Sequence, residues 1–118
     1  MKYVDGYVIA VPKKNLKAYI AMARVGEEMW RKCGALDYRE CVADDVKSKW
    51  GTPFTKMMKA KPGETVIFSY IVFKSRAHRD RVNAKVMKQM QKMDCMPTQM
   101  PFDATRMAYG GFKAVVET

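Results

Sequence analysis

The sequence is poor in the residues that metal centres, disulfide frameworks and membrane spans require. It has a single histidine, His78, and three cysteines, of which no two stand at zinc-ligand spacing, so no metal site is predicted. An odd number of widely spaced cysteines favours reduced thiols and hence a cytosolic protein. No apolar run approaches the ~18 residues of a membrane span, and Asp5 and Gly6 interrupt the stretch that a signal peptide would need.

Motifs for cofactors and known reactions are missing as well. The glycine pair Gly110-Gly111 lacks the pattern of a phosphate-binding loop. The single histidine has no matched nucleophile or second ligand near it in the sequence. No cofactor is therefore predicted, and whether the protein is an enzyme stays open.

Basic residues, in contrast, are abundant. The chain has 118 residues, 48% of them apolar, which predicts one domain over residues 1–118 with a single modest core. Lysine and arginine number 22 against 12 acidic residues, for a net charge of +10. Net charge concerns partners rather than fold. This excess therefore predicts an anionic partner, either nucleic acid or a phosphorylated or carboxylated small molecule.

The centre of the chain, residues 65–93, predicts a buried strand followed by a basic helix. TVIFSYIVF is β-branched or aromatic on both faces of the pleat, and Ser75 is placed to cap the helix. The predicted buried face of the helix consists of His78, Val82, Val86, Met90 and Met93. The opposite face, predicted to be solvated, consists of Arg76, Arg79, Asp80, Lys88 and Lys92.

The remaining elements complete the order βαββαβ. Strands are predicted over residues 3–11, 36–43 and 106–117, a helix over about 13–33, and irregular segments over 44–63 and 94–102. Gly26 lies on the apolar stripe of the first helix, Gly34 is a natural left-handed cap, and Gly110-Gly111 suggests a bulge or a close backbone approach. This order is typical of the α+β ferredoxin-like fold, an antiparallel sheet with both helices on one face.

The other sheet face must then be polar or covered. By strand alternation, small residues of the first and last strands suit the helix side; these are Val4, Gly6, Val8, Ala10, Ala108, Gly110 and Ala114. The opposite set is rich in tyrosine and comprises Tyr3, Asp5, Tyr7, Ile9, Met107, Tyr109, Gly111 and Lys113, with Phe68, Tyr70, Tyr38 and Glu40 as further candidates. Tyrosine is enriched at interfaces. We therefore predict a homodimer through this tyrosine-rich face, with a semi-polar pocket near Asp5; the alternative is a wet face without a pocket.

Four separated segments resemble a known family. YVDGYVIAVP, GALDYRECVADDV, FSYIVFKSRAHRDRVNAKVM and MPFDATRMAYGGF are similar to the YbaA-like family of uncharacterised bacterial proteins, in the same order and over nearly the whole chain. The resemblance implies a small cytosolic protein with a ferredoxin-like, dimeric α/β-barrel fold. Cofactor-independent monooxygenases and other small-ligand proteins use a similar fold, but fold analogy transfers no catalytic residue.

The first candidate site is a small, anionic ligand site around the start of the second long helix. His78 would act there as a general base or as an imidazole that binds the ligand, and the helix N-terminus would favour a bound anion. The alternative is a histidine that caps or packs locally. The ligand-binding candidates are His78, Arg76, Arg79, Asp5, Tyr7, Tyr70 and Tyr109.

The second candidate site is a basic, aromatic loop that would bind nucleic acid. Its candidates are Lys47, Lys49, Trp50, Lys56, Lys59 and Lys61. The alternative is a solvated loop that its aromatic residues anchor to the body of the protein.

Asp5 and Glu40 could pair across neighbouring strands. The methionines at 87, 90, 93, 96 and 100 with Cys95 fit core and loop packing better than a soft-metal site. A structural module without a ligand is the third hypothesis.

Overall fold

The computed structural model describes residues 1–93 and 100–118. Its elements are β1 (Tyr3–Pro12), α1 (Leu16–Cys33), β2 (Asp37–Val42), α2 (Phe54–Met57), β3 (Glu64–Phe73), α3 (Arg76–Met93) and β4 (Ala108–Lys113). Single 3-10 turns precede α1 and β4. The strands and the two long helices follow the predicted order, whereas the short helix α2 lies in a segment predicted to be irregular. Most of the predicted loop 94–102 falls outside the described residues.

The strands form one antiparallel sheet of four strands in the order β2-β3-β1-β4. The two inner strands, β1 and β3, pair along ten residues, from Tyr3 opposite Phe73 to Pro12 opposite Glu64. β3 lies between β1 and β2, and β1 lies between β3 and β4. The α+β class is therefore confirmed.

Both long helices pack on the same face of this sheet. One core cluster joins Met29 of α1, Phe73 of β3 and Val86 of α3. A second cluster joins Ile9 and Val11 of β1 to Tyr19 and Ala23 of α1 and to Ile67 of β3. None of the helices in the described part of the chain is long and apolar enough to cross a membrane.

The predicted assignment of the strand faces is wrong for β1 and β4. Asp5 is fully buried, and Tyr3 and Tyr7 pack against the core cluster beneath the helices. The register places Tyr109 opposite Tyr7, so it shares their face. The tyrosine-rich face is therefore the helix-covered one and cannot form the predicted dimer contact. The physical reason is that α1 and α3 supply polar partners on this side of the sheet. Strand alternation does not show which face has such partners.

The opposite face, which we call the open face, is apolar along the inner strands. The residues that point to it are Val4, Gly6, Val8 and Ala10 of β1, Val66, Phe68, Tyr70 and Val72 of β3, and Ala108, Gly110 and Phe112 of β4. Phe54 of α2 packs against Phe68 with ring centroids 6.1 Å apart, so α2 covers only one end. Phe68 and Phe112 stay 45% and 63% exposed, which leaves an uncovered apolar surface.

Local predictions at the helix ends and glycines are confirmed. The hydroxyl of Ser75 accepts a hydrogen bond from the His78 amide at 3.1 Å. Gly34 ends α1 with a φ of 119°, in the left-handed region that favours glycine. At Gly111 a β-carbon would lie 2.5 Å from the Tyr3 hydroxyl, so the predicted close approach is made by a side chain. The solvated position expected for Arg79 is wrong, since its side chain is only 17% exposed.

Candidate functional site

The candidate site begins with a partly buried carboxylate, Glu40, between α1 and the sheet. Glu40 stands two residues after Tyr38 on β2, so both side chains point to the same face. Tyr38 donates a hydrogen bond to Glu40 Oε2 at 2.6 Å, and Tyr19 of α1 donates one to Oε1 at 2.7 Å. We call Glu40, Tyr19 and Tyr38 the Glu40 cluster.

The two tyrosines of this cluster are held in their protonated form. Burial raises the pKa of Tyr19 and of Tyr38 above the ordinary value, and the charge of Glu40 adds to both shifts. Burial also raises the pKa of Tyr7, and the negative charge of Asp5 raises it further. The phenols therefore act as donors to the carboxylate rather than as bases.

A cavity of about 210 Å³ lies beside the Glu40 cluster, between α1 and the sheet. Apart from Glu40, Ser69, the tyrosine hydroxyls and the Trp30 ring nitrogen, its wall is apolar. The lining residues are Tyr7, Ile9, Tyr19, Met22, Ala23, Gly26, Trp30, Tyr38, Glu40, Ser69, Ile71, Met90, Met100, Phe102 and Met107. A second, more open cavity of about 280 Å³ also borders Tyr19, Tyr38 and Glu40. Glu40 thus faces space on two sides of the cluster.

A second polar group, which we call the Asp5 cluster, lies along the same face. Asn83 of α3 donates to Asp5 Oδ2 at 3.3 Å, and Trp30 of α1 donates to Asn83 Oδ1 at 2.9 Å. Oδ1 of Asp5 lies 3.8 Å from Arg79 Nη1, and among the described residues it has no hydrogen-bond donor. Burial raises the pKa of Asp5, against the opposing effects of Asn83 and Arg79.

Arg79 joins the Asp5 cluster to two tyrosines. Its guanidinium lies 4.9 Å from the centre of the Tyr3 ring and donates to the Tyr3 hydroxyl at 3.3 Å. It also approaches the Tyr109 hydroxyl at 3.4 Å. Tyr109 stacks on Tyr7 with centroids 4.8 Å apart, and Tyr7 lines the cavity. The Asp5 and Glu40 clusters therefore belong to one polar layer.

Of the ligand-binding candidates, the structure brings together Asp5, Tyr7, Arg79 and Tyr109. Tyr70 lies on the open face, opposite Gly6 and Arg39. Arg76 is exposed at the first residue of α3. These two residues lie apart from the polar layer.

His78 makes local contacts only, among the described residues. Its Nδ1 accepts a hydrogen bond from the Lys74 amide at 3.0 Å, and its ring lies 6.1 Å from that of Phe73. Burial lowers the pKa of His78, and the nearby charges of Lys74, Arg81 and Lys85 lower it further. The geometry favours the alternative of a locally packed histidine over a ligand-binding one.

Sequence reasoning missed the centre of the site. Glu40 and Tyr38 were expected on the tyrosine-rich face, but their pairing with Tyr19 was not. The predicted Asp5–Glu40 pair across neighbouring strands is wrong, because β3 separates β1 from β2. The sequence signal that could have found the site is the spacing of Tyr38 and Glu40, which places a phenol and a carboxylate on one face of β2. No comparable pattern in the sequence marks Asn83 or Trp30.

The predicted nucleic-acid residues lie in the connection between β2 and β3. Lys47, Lys49, Lys56, Lys59 and Lys61 are exposed, and Trp50 is 88% exposed. Phe54 anchors the connection to Phe68, as the alternative expected, but Trp50 does not. The methionine and Cys95 cluster extends into residues 94–99, outside the described part; within that part no group of three or more histidine, cysteine or acidic residues could hold a metal ion.

Known proteins match most or nearly all of the chain. Residues 2–104 match a family model described as a protein of unknown function, DUF1428. The uncharacterized protein YbaA of Escherichia coli K12 is 41% identical over 117 residues, covering 99% of each chain, and so is its counterpart in Shigella flexneri. A de novo designed protein, Foldit4, is similar in structure with a TM-score of 0.48 and 10% identity, over 97% of this chain and 99% of that one. The resemblance found in the four sequence segments is confirmed, and the chain belongs to the YbaA-like DUF1428 family of proteins of unknown function.

Proposed function

We propose that this protein binds a small, mainly apolar molecule in the cavity between α1 and the sheet. The observation that carries the proposal is an apolar cavity of about 210 Å³ that contains a hydrogen-bonded carboxylate. Ligand sites are typically apolar clefts with a few convergent polar groups. An apolar cavity of about 150 Å³ holds benzene, so this volume suits one ring with a short polar substituent.

The cavity chemistry argues against the anionic ligand expected from net charge. Glu40 lines the cavity and has no salt-bridge partner among the described residues, whereas Asp5, in the same polar layer, lies beside Arg79. A carboxylate that is partly shielded from water repels an anion more strongly than it would in water. The basic excess lies on the exposed surface and contributes less there because of solvent and salt screening.

Tryptophan fluorescence can test the proposal directly. The chain has two tryptophans; Trp30 lines the cavity and Trp50 is exposed. In a Trp50→Phe background, titration with benzyl alcohol should give a saturable change with a dissociation constant of about 1 mM, a value within the range for small ligands. The same ligand should raise the melting temperature, because it binds the folded state.

A cavity-filling variant and its control locate the binding. Ala23 lines the cavity and is 8% exposed, whereas Ala21 is exposed on the same helix. Ala23→Phe should weaken benzyl alcohol binding at least tenfold, and Ala21→Phe should leave it unchanged. Should Ala23→Phe not fold, Ala23→Leu serves with a smaller effect. No saturable change in either fluorescence or melting temperature, or equal affinity in both variants, would exclude the cavity as a binding site.

We further propose a ferredoxin-like subunit that pairs with a second copy through its open face. Support for the fold comes from the interleaved strand order, in which each βαβ unit encloses a strand of the other. Support for a second copy comes from charge. Along β1 and β3 the one charged residue of the open face is Glu64, at the start of β3, and it pairs with Arg106 at 2.7 Å. On β2, Asp37 pairs with Arg39 at 3.5 Å. An anionic macromolecule would find little to bind on such a face, whereas an identical apolar face would match it.

Nucleic-acid binding is the second candidate function. The observation that favours it is Trp50, exposed among lysines and therefore available to stack on a base. The cytosolic location inferred from the cysteines agrees with either function and stays a prediction.

A further inference from the structure

The partners of the Glu40 carboxylate bear on which ligand the cavity takes. Glu40 takes part in none of the salt bridges found among the described residues. Residues 94–99 contain no basic side chain that could supply one. Arg24 borders the second cavity together with Glu27, and its side chain is exposed. The nearest polar partners of Glu40 are the two neutral phenols.

The two phenols leave part of the carboxylate free to bind. Tyr19 and Tyr38 each donate to a different oxygen. A carboxylate offers about four lone-pair sites, so each oxygen retains capacity for one more donor. A partly buried anion that is hydrogen-bonded but not charge-paired is stabilised further by a cation in good geometry.

The remaining wall favours a cation over a neutral donor. Tyr7 and Trp30 bring aromatic rings to the cavity, and the rings of Trp30 and Tyr38 lie 6.0 Å apart. Aromatic faces attract ammonium groups, most strongly where water is excluded. Ser69, buried at 3% exposure between Tyr7 and Glu40, adds a hydroxyl acceptor.

We propose that the ligand is a small aromatic amine, whose ammonium group pairs with Glu40 while its ring fills the apolar cavity. This inference rests on the proposed ligand-binding function and names its chemical class. A neutral alcohol of the same size would keep the ring contacts and lose the ion pair. A carboxylate of the same size would meet repulsion from Glu40.

Three probes of matched size test the class in the Trp50→Phe background: benzylamine, benzyl alcohol and benzoate. Benzylamine should bind about tenfold more tightly than benzyl alcohol, the size of effect expected for a charge-assisted contact, and benzoate should bind most weakly. Glu40→Gln should bring the amine-to-alcohol ratio close to one while benzyl alcohol binding persists. Glu28→Gln, at an exposed position of α1 outside the cavity, should leave the ratio unchanged.

Other results of these titrations would refute either the pairing with Glu40 or the cavity as a binding site. Tightest binding by benzoate, or an amine preference that survives Glu40→Gln, would refute the pairing with Glu40. Failure of all three probes to bind would refute the proposed function itself. Should Glu40→Gln not fold, Tyr38→Phe replaces it: removing one donor from Glu40 should increase the amine preference, and an unchanged preference would count against the proposal.

Discussion

Asp5 illustrates how a charged residue in a strand can lie in the core. It is fully buried, yet one carboxylate oxygen accepts from Asn83 and the other lies near Arg79. These partners come from α3, far away in the chain, and they offset part of the cost of removing the charge from water. The raised pKa of Asp5 indicates that the offset is incomplete.

The pH dependence of stability should report this incomplete compensation. Because its folded-state pKa is raised, Asp5 binds a proton more tightly in the folded than in the unfolded chain, whose pKa is about 3.9. Its contribution is therefore fully favourable below that value and is lost as the pH rises through the folded-state pKa. The free energy of unfolding of the natural protein, relative to Asp5→Asn, should increase from pH 7 to pH 4, by about 1.4 kcal/mol per unit of raised pKa.

Denaturant unfolding of both proteins at several pH values measures this difference. Asp103→Asn is the matched control of opposite sign, because hydrogen bonds from Thr105 lower the pKa of Asp103. The advantage conferred by Asp103 should decrease as the pH falls. A difference for Asp5→Asn that is flat, or that decreases toward low pH, would contradict the assignment of Asp5 as an under-compensated buried acid.

At the scale of elements, local sequence patterns located the strands and helices within a few residues. β2 covers Asp37–Val42 inside the predicted 36–43. β4, Ala108–Lys113, is shorter than the predicted strand over residues 106–117: a 3-10 turn capped by Asp103 occupies Ala104–Arg106 before it, and residues 114–117 after it form no strand. The connection between β2 and β3 was the least predictable part, since α2 depends on the contact of Phe54 with a distant strand.

This connection is also the element on which nucleic-acid binding can be tested. In titrations with a labelled single-stranded RNA, the logarithm of the binding constant should fall linearly with the logarithm of the salt concentration. Lys47→Gln with Lys49→Gln should reduce the magnitude of this slope by about 1.4, from ~0.7 per phosphate contact. Trp50→Ala should weaken binding several-fold without changing the slope, because stacking releases no counterions.

The control for this element is a second exposed lysine pair. Lys13→Gln with Lys14→Gln, just before α1, removes the same charge from another surface. Equal losses in the two double variants, or no effect of Trp50→Ala, would mean that the net charge alone attracts RNA and that the connection is not a binding site.

At the scale of the whole molecule, one sheet face is covered by helices and the other is not. Phe112 lies flat on the open face, over Gly6 and Gly110, where added β-carbons would meet its ring at 3.6 and 3.5 Å. With Phe68 and the small apolar residues of β1, this ring forms a continuous exposed apolar surface, which is typical of an interaction site. A second copy covering this surface would complete the two-layer packing that a single subunit leaves half exposed.

Sedimentation should therefore detect a dimer of the natural protein that Phe112→Lys dissociates. A lysine in the middle of an apolar contact would bury an unpaired charge, and we expect the dimer dissociation constant to rise at least 100-fold. Val116→Lys adds the same charge at an 89% exposed position beyond β4 and should have little effect. A monomer at high concentration, or a dimer that tolerates Phe112→Lys, would refute pairing through the open face.

Sequence alone determined the features that depend on neighbours along the chain. These are the order of the main elements, the cap at Ser75, the left-handed end at Gly34 and the family to which the chain belongs. Backbone hydrogen bonding and side-chain periodicity act over a few residues, so a local pattern is enough to specify them.

The tertiary structure alone decided which strand face is covered and where the site lies. Alternation divides β1 into two sets of residues but does not state which set finds partners. Tyr19 reaches Glu40 across 21 residues of sequence, and Asn83 reaches Asp5 across 78. A polar side chain is buried where distant groups satisfy its hydrogen bonds, and only the folded chain brings those groups together.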